Sequence, residues 1–211
     1  MAVPEKVLEL VERFESDIDK YKSLSYNEEE IKIEFINPLF EALGWDVSNK
    51  TNKTASLKEV KFEDSVEVQG RIKNPDYSFR LDRARKFFVE SKKPAVNIEG
   101  GINPAFQLRS YAWSANLPVS IVTDFEEFAV YDCRSEPSKL DKPTKSRLFI
   151  IKYYEFEKRW DEIASLFSKE SVQKGSLEAI PAPKGKKVDE ALLEDISEWR
   201  EALAVNIAKM N

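Results

Sequence analysis

The chain contains no histidine. That absence removes imidazole acid–base catalysis and histidine-ligated zinc from consideration. There is one cysteine, Cys133, so no internal disulfide can form, and a reducing cytoplasm is the expected setting. No apolar run is long enough to cross a bilayer, and the opening MAVPEKVLELVERFESDIDKY is helical and acidic, unlike a secretion signal. No membrane association is therefore expected. Glycine is scarce, six in 211 residues, and the pair Gly100-Gly101 is not followed by Lys-Ser/Thr, so it is not a phosphate-cradling P-loop. Positive charge is also in deficit. Lys and Arg number 33 against 38 Asp and Glu, a net charge of −5, which argues against a free-standing DNA-binding surface. What is plentiful is core material and charge. With 42% hydrophobic and 11% aromatic residues the chain can fill one large domain, and with 34% charged residues its chemistry must come from acids and lysines.

Periodicity predicts a helix over residues 4–22, with Val7, Leu8, Leu10, Val11 and Phe14 at helical spacing. Asn27 reads as an N-cap ahead of Glu28-Glu29-Glu30. The helix it starts runs to Gly44 and carries Ile31, Phe35, Ile36, Leu39, Phe40 and Leu43 on one stripe, with Pro38 placed to kink it. Residues 49–56 form a polar loop whose Lys50 and Lys53 either brush a phosphate backbone or simply face solvent. Residues 65–69 alternate as an edge strand. Asn103-Pro104 starts another helix, Asn as N-cap and Pro at its first position. Strands are expected at 119–123, 128–131 and 147–153, and a helix at 155–168 that packs Phe156, Trp160, Ile163 and Phe167. The expected organisation is a domain over 1–169, a linker over 170–187 containing Gly175, Pro181 and Pro183, and a final helix over 188–211. That helix carries Val188, Leu192, Ile196, Trp199, Leu203 and Ile207, a stripe that needs a partner.

The chemistry concentrates between Asn74 and Pro94, NPDYSFRLDRARKFFVESKKP. Phe87-Phe88-Val89 favours a strand, and the charged run Asp82 to Arg85 before it suits a reversal. Side chains two apart on a strand share a face, so Glu90 and Lys92 point the same way. A turn centred near Arg83 and Ala84 sets Asp76 opposite Glu90 to Lys92. Two carboxylates in close quarters repel unless one takes up a proton or a cation intervenes. Mg²⁺ suits such a place, because it takes one or two carboxylates and keeps positions for water and a phosphate oxygen. Lys92 would then hold an attacking water or a charged phosphate, an arrangement for phosphodiester hydrolysis. The alternative is a solvated hairpin with its charges on the wet face.

Pro75-Asp76 followed by Glu90-Ser91-Lys92 resembles the PD-(D/E)XK nuclease signature. Gln107-Leu-Arg-Ser-Tyr111 is similar to the Q-x-x-x-Y element that follows it in RecB-like nucleases, and residues 34–46 resemble the opening helix of nuclease domains in type I restriction subunits and type IIG restriction-modification enzymes. The resemblance spans about residues 27–132. It implies an α/β fold with a restriction-endonuclease-like core, a central mixed sheet flanked by helices, and a C-terminal connector helix. It implies Mg²⁺, with Mn²⁺ able to substitute, held by Asp76, Glu90 and the backbone carbonyl of Ser91. Lys92 then acts on water or phosphate, Gln107 positions a phosphate or water, and Tyr111 contacts the DNA backbone. Arg109 and Lys93 are weaker candidates for phosphate contacts. Glu34 would be an extra acid near the metal, although a straight helical wheel puts it on the solvated side. The implied partners are double-stranded DNA, methyltransferase and target-recognition domains tethered beyond residue 211, and a transient dimer for cutting both strands. Neither a methyltransferase glycine motif nor a helicase P-loop occurs here. Two other functions are consistent with the same residues: a catalytically degenerate scaffold or DNA-binding module, and a RecB-like repair nuclease.

Overall fold

A computed structural model describes residues 2–181 and, beyond them, Ile196, Trp199, Arg200 and Leu203. The first helix, α1 (Glu5–Ser16), buries Val7, Leu10 and Phe14. It breaks at Asp17 and resumes for one turn as α2 (Ile18–Tyr21). Asn27 caps the next helix as expected. Its Oδ1 accepts from the Glu30 amide at 2.9 Å, and Glu30 Oε2 accepts from the Asn27 amide at 2.9 Å, so two otherwise orphaned helix donors are satisfied reciprocally.

This helix is not straight. It runs as α3 (Glu28–Ile31), widens into a π turn over Lys32–Ile36, and continues as α4 (Asn37–Ala42). Pro38 supplies the reason. Its nitrogen has no hydrogen to give to the carbonyl of Glu34, and the Arg13 guanidinium donates to that carbonyl instead. One residue earlier, the Asn37 amide reaches back to the carbonyl of Lys32, the i→i−5 bond of a π turn. The helix then stops at Gly44, whose φ of 88° is left-handed.

Eight strands follow among the described residues: β1 (Val60–Phe62), β2 (Val66–Val68), β3 (Arg71–Lys73), β4 (Tyr77–Leu81), β5 (Ala84–Ser91), β6 (Val119–Thr123), β7 (Glu127–Asp132) and β8 (Arg147–Lys152). Six of them form one mixed sheet in the order β1-β4-β5-β6-β7-β8, antiparallel except where β5 and β6 run parallel. The β5–β6 connection is long enough to cross over, and it contains α5 (Ile102–Ser114). After the sheet come α6 (Phe156–Phe167) and α7 (Lys169–Gln173).

The pleat sends Phe87 and Phe88 to opposite faces of the sheet. On the first face, Phe87 stacks on Phe79 with centroids 4.5 Å apart, Phe40 lies 4.5 Å from Phe79, and Trp45 stands edge-on to both phenylalanines of the pair. Phe167 of α6 meets Phe87 at 5.2 Å, and its carbonyl accepts from Trp45 Nε1 at 2.8 Å. On the second face, Leu108 and Ala112 of α5 pack with Phe88, Val122, Ala129 and Tyr131. The result is the expected α/β architecture, a mixed sheet with helices on both sides.

Several local expectations are corrected. β2 does not join the main sheet. It pairs with β3 in a separate two-stranded ribbon whose Val66 packs into the α5 core, and β1 is the sheet edge. Helix α5 begins at Ile102 with Gly101 as its N-cap, so Asn103 does not cap it. Pro104 still lies in the first turn, where a missing N–H costs nothing. The packed unit extends to Glu178, because α7, capped by Ser168, buries Val172, and Leu177 is buried after it. The segment expected as linker therefore begins with a helix. A second unit covers 179–211, in which Ile196, Trp199, Arg200 and Leu203 are helical. The rest of the expected connector helix lies outside the described residues. No helix among the described residues is long and apolar enough to cross a membrane.

Candidate functional site

The β4–β5 hairpin turns at Asp82-Arg83, with φ of 46° and 74°. Two successive left-handed residues are what a tight turn needs to match the twist of its strands. The turn sits one residue earlier than the sequence predicts, which moves the pairing by two positions, and a bulge between Phe79 and Arg80 restores one of them. Beyond it Tyr77 pairs with Val89, which brings Asp76 level with Glu90, just outside the ladder.

Glu90 projects from the face of β5 that α5 covers, and it is only 3% exposed. Its Oε1 accepts from Lys92 Nζ at 2.8 Å and from Gln107 Nε2. Gln107 Nε2 also donates to the Tyr111 hydroxyl at 3.1 Å, the two residues lying one turn apart on α5. The second oxygen, Oε2, is buried with no partner. Burial raises the Glu90 carboxyl to about 7, with the charge of Asp76 reinforcing it and Lys92 opposing it. Burial alone would push the Lys92 ammonium down, but the surrounding acids, Glu90 foremost, hold it above its ordinary value.

Asp76 is held from the other side. Its Oδ2 accepts from the Ser91 amide at 2.8 Å and the Ser91 hydroxyl at 2.9 Å, and its Oδ1 accepts from Lys32 Nζ at 2.8 Å. The Ser91 hydroxyl also lies 3.3 Å from Glu28 Oε1. Burial raises the Glu28 carboxyl, Lys92 lowers it, and Asp76 raises it further. Three acids and two lysines thus meet at the C-terminal end of β5. Asp76 and Glu90 do not share a donor: Ser91 and Lys32 engage one, Lys92 and Gln107 the other. Among the described residues no three acidic or thiol side chains converge tightly enough to cage a metal by themselves. Two carboxylates and a backbone carbonyl are nonetheless the hard oxygen donors that Mg²⁺ accepts while keeping several waters. The partnerless Glu90 Oε2 is a buried acceptor with capacity to spare, so the residues present fit that ion.

Of the residues singled out in the sequence, the structure brings together Asp76, Glu90, Ser91, Lys92, Gln107 and Tyr111. It does not bring Glu34. The π turn carries that side chain toward Tyr21 and Tyr26, whose hydroxyls are raised by burial first and by the Glu34 charge second. The extra acid is Glu28, which in the sequence is legible only as a helix-start charge. A signal for it existed. The capping box commits Glu30 to Asn27, while Glu28 shares a helix face with Lys32, four residues on. Arg109 is another correction: it is buried and paired with Asp141 at 2.6 Å, so it cannot reach a phosphate. Lys50 and Lys53 are paired with Glu41 and Glu59, and their loop folds around the Asp46 carboxylate.

No family model matches the chain, and no solved structure matches it. Among curated proteins it is similar to the type II restriction enzyme and methyltransferase RM.Eco57I of Escherichia coli, with 37% identity over 202 residues. The match takes in 92% of this chain and 20% of that protein, so the chain spans about a fifth of the length of the curated relative it matches.

Proposed function

We propose that this chain is the nuclease module of a restriction-modification enzyme of the PD-(D/E)XK kind, a type IIG-like deoxyribonuclease that hydrolyses phosphodiester bonds of double-stranded DNA with Mg²⁺. The observation that carries the reading is the buried, partnerless oxygen of Glu90 beside the Lys92 ammonium, at the end of a strand that also positions Asp76. The similarity to RM.Eco57I supports it independently.

Asp76, Glu90 and the Ser91 carbonyl would hold the ion, with Glu28 next to them. Bound there, it would acidify a water and offset charge on the phosphate. The rest falls to the chain's own side chains. Lys92 keeps its proton, since its ammonium is held above its ordinary value. It therefore donates to the attacking water or to the phosphate oxygens and is not the base. Gln107 holds Glu90 Oε1 and the Tyr111 hydroxyl together, which fixes the carboxylate's rotamer. Burial raises Tyr111, so the hydroxyl stays protonated and can donate to a backbone phosphate. In the reaction a water oxygen forms a bond to phosphorus and gives its proton to solvent, while the bond to the leaving oxygen breaks in line and that oxygen takes up a proton from solvent.

A net charge of −5 is consistent with this role if recognition belongs elsewhere, because a tethered module needs little affinity of its own. Methyltransferase and target-recognition domains in the same polypeptide, and a transient dimer for double-strand cutting, complete the reading. One observation favours a second reading, a degenerate scaffold: Asp76 is fully occupied by Ser91 and Lys32. The test separates the two. Asp76→Ala and Lys92→Ala should abolish Mg²⁺-dependent cleavage of plasmid DNA while circular dichroism stays unchanged. Undiminished cutting by both variants rejects the assignment.

A further inference from the structure

Among the described residues most lysines of this acidic chain are paired with an acid. Lys50, Lys53, Lys61, Lys86, Lys152 and Lys169 are each clasped by a carboxylate within 3.0 Å. Beside the candidate site this changes. Arg71, Lys73 and Lys139 are exposed, and none of them is in an ion pair among the described residues. All three line a cavity of about 670 Å³ that opens over Gln107 and Tyr111. Lys139 and Gln107 continue into a second cavity of about 690 Å³ bordered by Lys92. Unpaired positive charge thus runs from the ribbon to the reacting end of β5.

The placement follows from register and anchoring. In the ribbon Val66 pairs with Lys73 and Val68 with Arg71, and directly opposed side chains share a face. Val66 and Val68 face the α5 core, so Arg71 and Lys73 stand on that same inner face while Glu67 and Ile72 look away. The ribbon is tied down at its base, where buried Asp64 accepts from Arg85 at 2.8 Å and from Lys61 at 2.6 Å. The opposite wall is equally anchored. Asp141, buried against Arg109, accepts from the Ser138 amide at 3.0 Å and so fixes the turn that presents Lys139. Free cations on rigid mounts are what a polyanion needs, because little ordering remains to be done on binding.

We infer that the inner face of the β2–β3 ribbon and the turn at Lys139 form the two walls of a groove for the sugar–phosphate backbone of duplex DNA. Arg71, Lys73 and Lys139 contact phosphates, and the groove leads one strand to Glu90 and Lys92. What happens to that strand at the end of the groove rests on the nuclease reading; the binding itself does not. The contacts position the duplex without reading its sequence, since they go to phosphates.

The test measures binding of the protein to a labelled duplex of arbitrary sequence by fluorescence anisotropy, with chelator present, across a range of salt. Three variants are compared with the unaltered protein in a melting experiment first, and because the altered side chains are exposed, melting temperatures should agree. In Arg71→Ala/Lys73→Ala/Lys139→Ala the slope of log affinity against log salt should flatten by about 2.7, roughly 0.9 per lost phosphate contact, with affinity at low salt down roughly 100-fold. Arg83→Ala/Lys158→Ala removes cations at the hairpin tip and on α6 and should leave the slope unchanged. The single variant Lys139→Ala should flatten it by about 0.9. The groove is overturned if the triple variant keeps the slope and affinity of the unaltered protein, if the tip variant loses as much, or if only single-stranded DNA binds. An unaltered protein that binds as described but never cuts with Mg²⁺ leaves the groove standing and removes the nuclease reading. One that cuts while the triple variant binds normally does the reverse.

Discussion

Glu90 makes this fold less stable at the pH where it would work, and the size of the effect can be stated. Its carboxyl is raised from an ordinary 4.5 to about 7. A raised acid binds more protons in the folded state than in the unfolded state between those two values, so stability falls as pH climbs through the window and the full cost is present above it. At about 1.4 kcal/mol per tenfold difference in proton affinity, the cost above pH 7 is roughly 3 kcal/mol. About 2.5 kcal/mol of it should develop between pH 5 and pH 8. Glu90→Gln removes the titration while keeping the shape and an oxygen to accept from Lys92 and Gln107. Urea unfolding in the presence of chelator at pH 5 and pH 8 is the assay. The variant should match the native protein within about 1 kcal/mol at pH 5 and gain about 2.5 kcal/mol on it by pH 8. The amide does not titrate, so whatever its nitrogen costs in the pocket is the same at both pH values. Parallel pH profiles for the two proteins would refute the reasoning. They would mean that Glu90 is ionised without strain, because solvent or the Lys92 ammonium offsets its burial in full.

Other outcomes follow from the same geometry. Mg²⁺ or Mn²⁺ should raise the melting temperature of the native protein, by the equivalent of roughly 2.7 kcal/mol at a hundredfold excess over the dissociation constant, and should not raise that of Asp76→Ala. No shift in the native protein would favour the scaffold reading. Glu28→Gln should slow DNA cleavage roughly tenfold or more, while Glu34→Gln should leave it unchanged; the opposite ranking would restore Glu34 to the site. Breaking the buried pair with Asp141→Asn should cost roughly 3–5 kcal/mol in chemical denaturation, because Arg109 is left charged and without its partner. A cost below about 1 kcal/mol would show that water reaches Arg109.

What the sequence determined about this protein is what covalent geometry fixes over short spans. Strand alternation alone puts Glu90 and Lys92 on one face, and helical rise alone stacks Gln107 over Tyr111. The Asn27 cap, the Gly44 stop and most of the main-sheet strands belong to the same class, since turn chemistry and apolar period are local. The absence of histidine confined the site to acids and lysines from the outset. Tertiary structure decided the rest. Pro38 and the Arg13 bond to Glu34 accompany a π turn that no wheel anticipates, and the packing of the helix start against β5 sets Glu28, not Glu34, beside Ser91. Whether a cation is free or clasped depends on which acid lies across the fold, and this removes Arg109, Lys50 and Lys53 from the site while leaving Arg71, Lys73 and Lys139 beside it. The β2–β3 ribbon reaches α5 only because its valines enter that core, a contact between segments distant in sequence. The proton affinity of Glu90 is likewise set by the packing of α5 over β5, because desolvation is a property of surroundings and not of spacing.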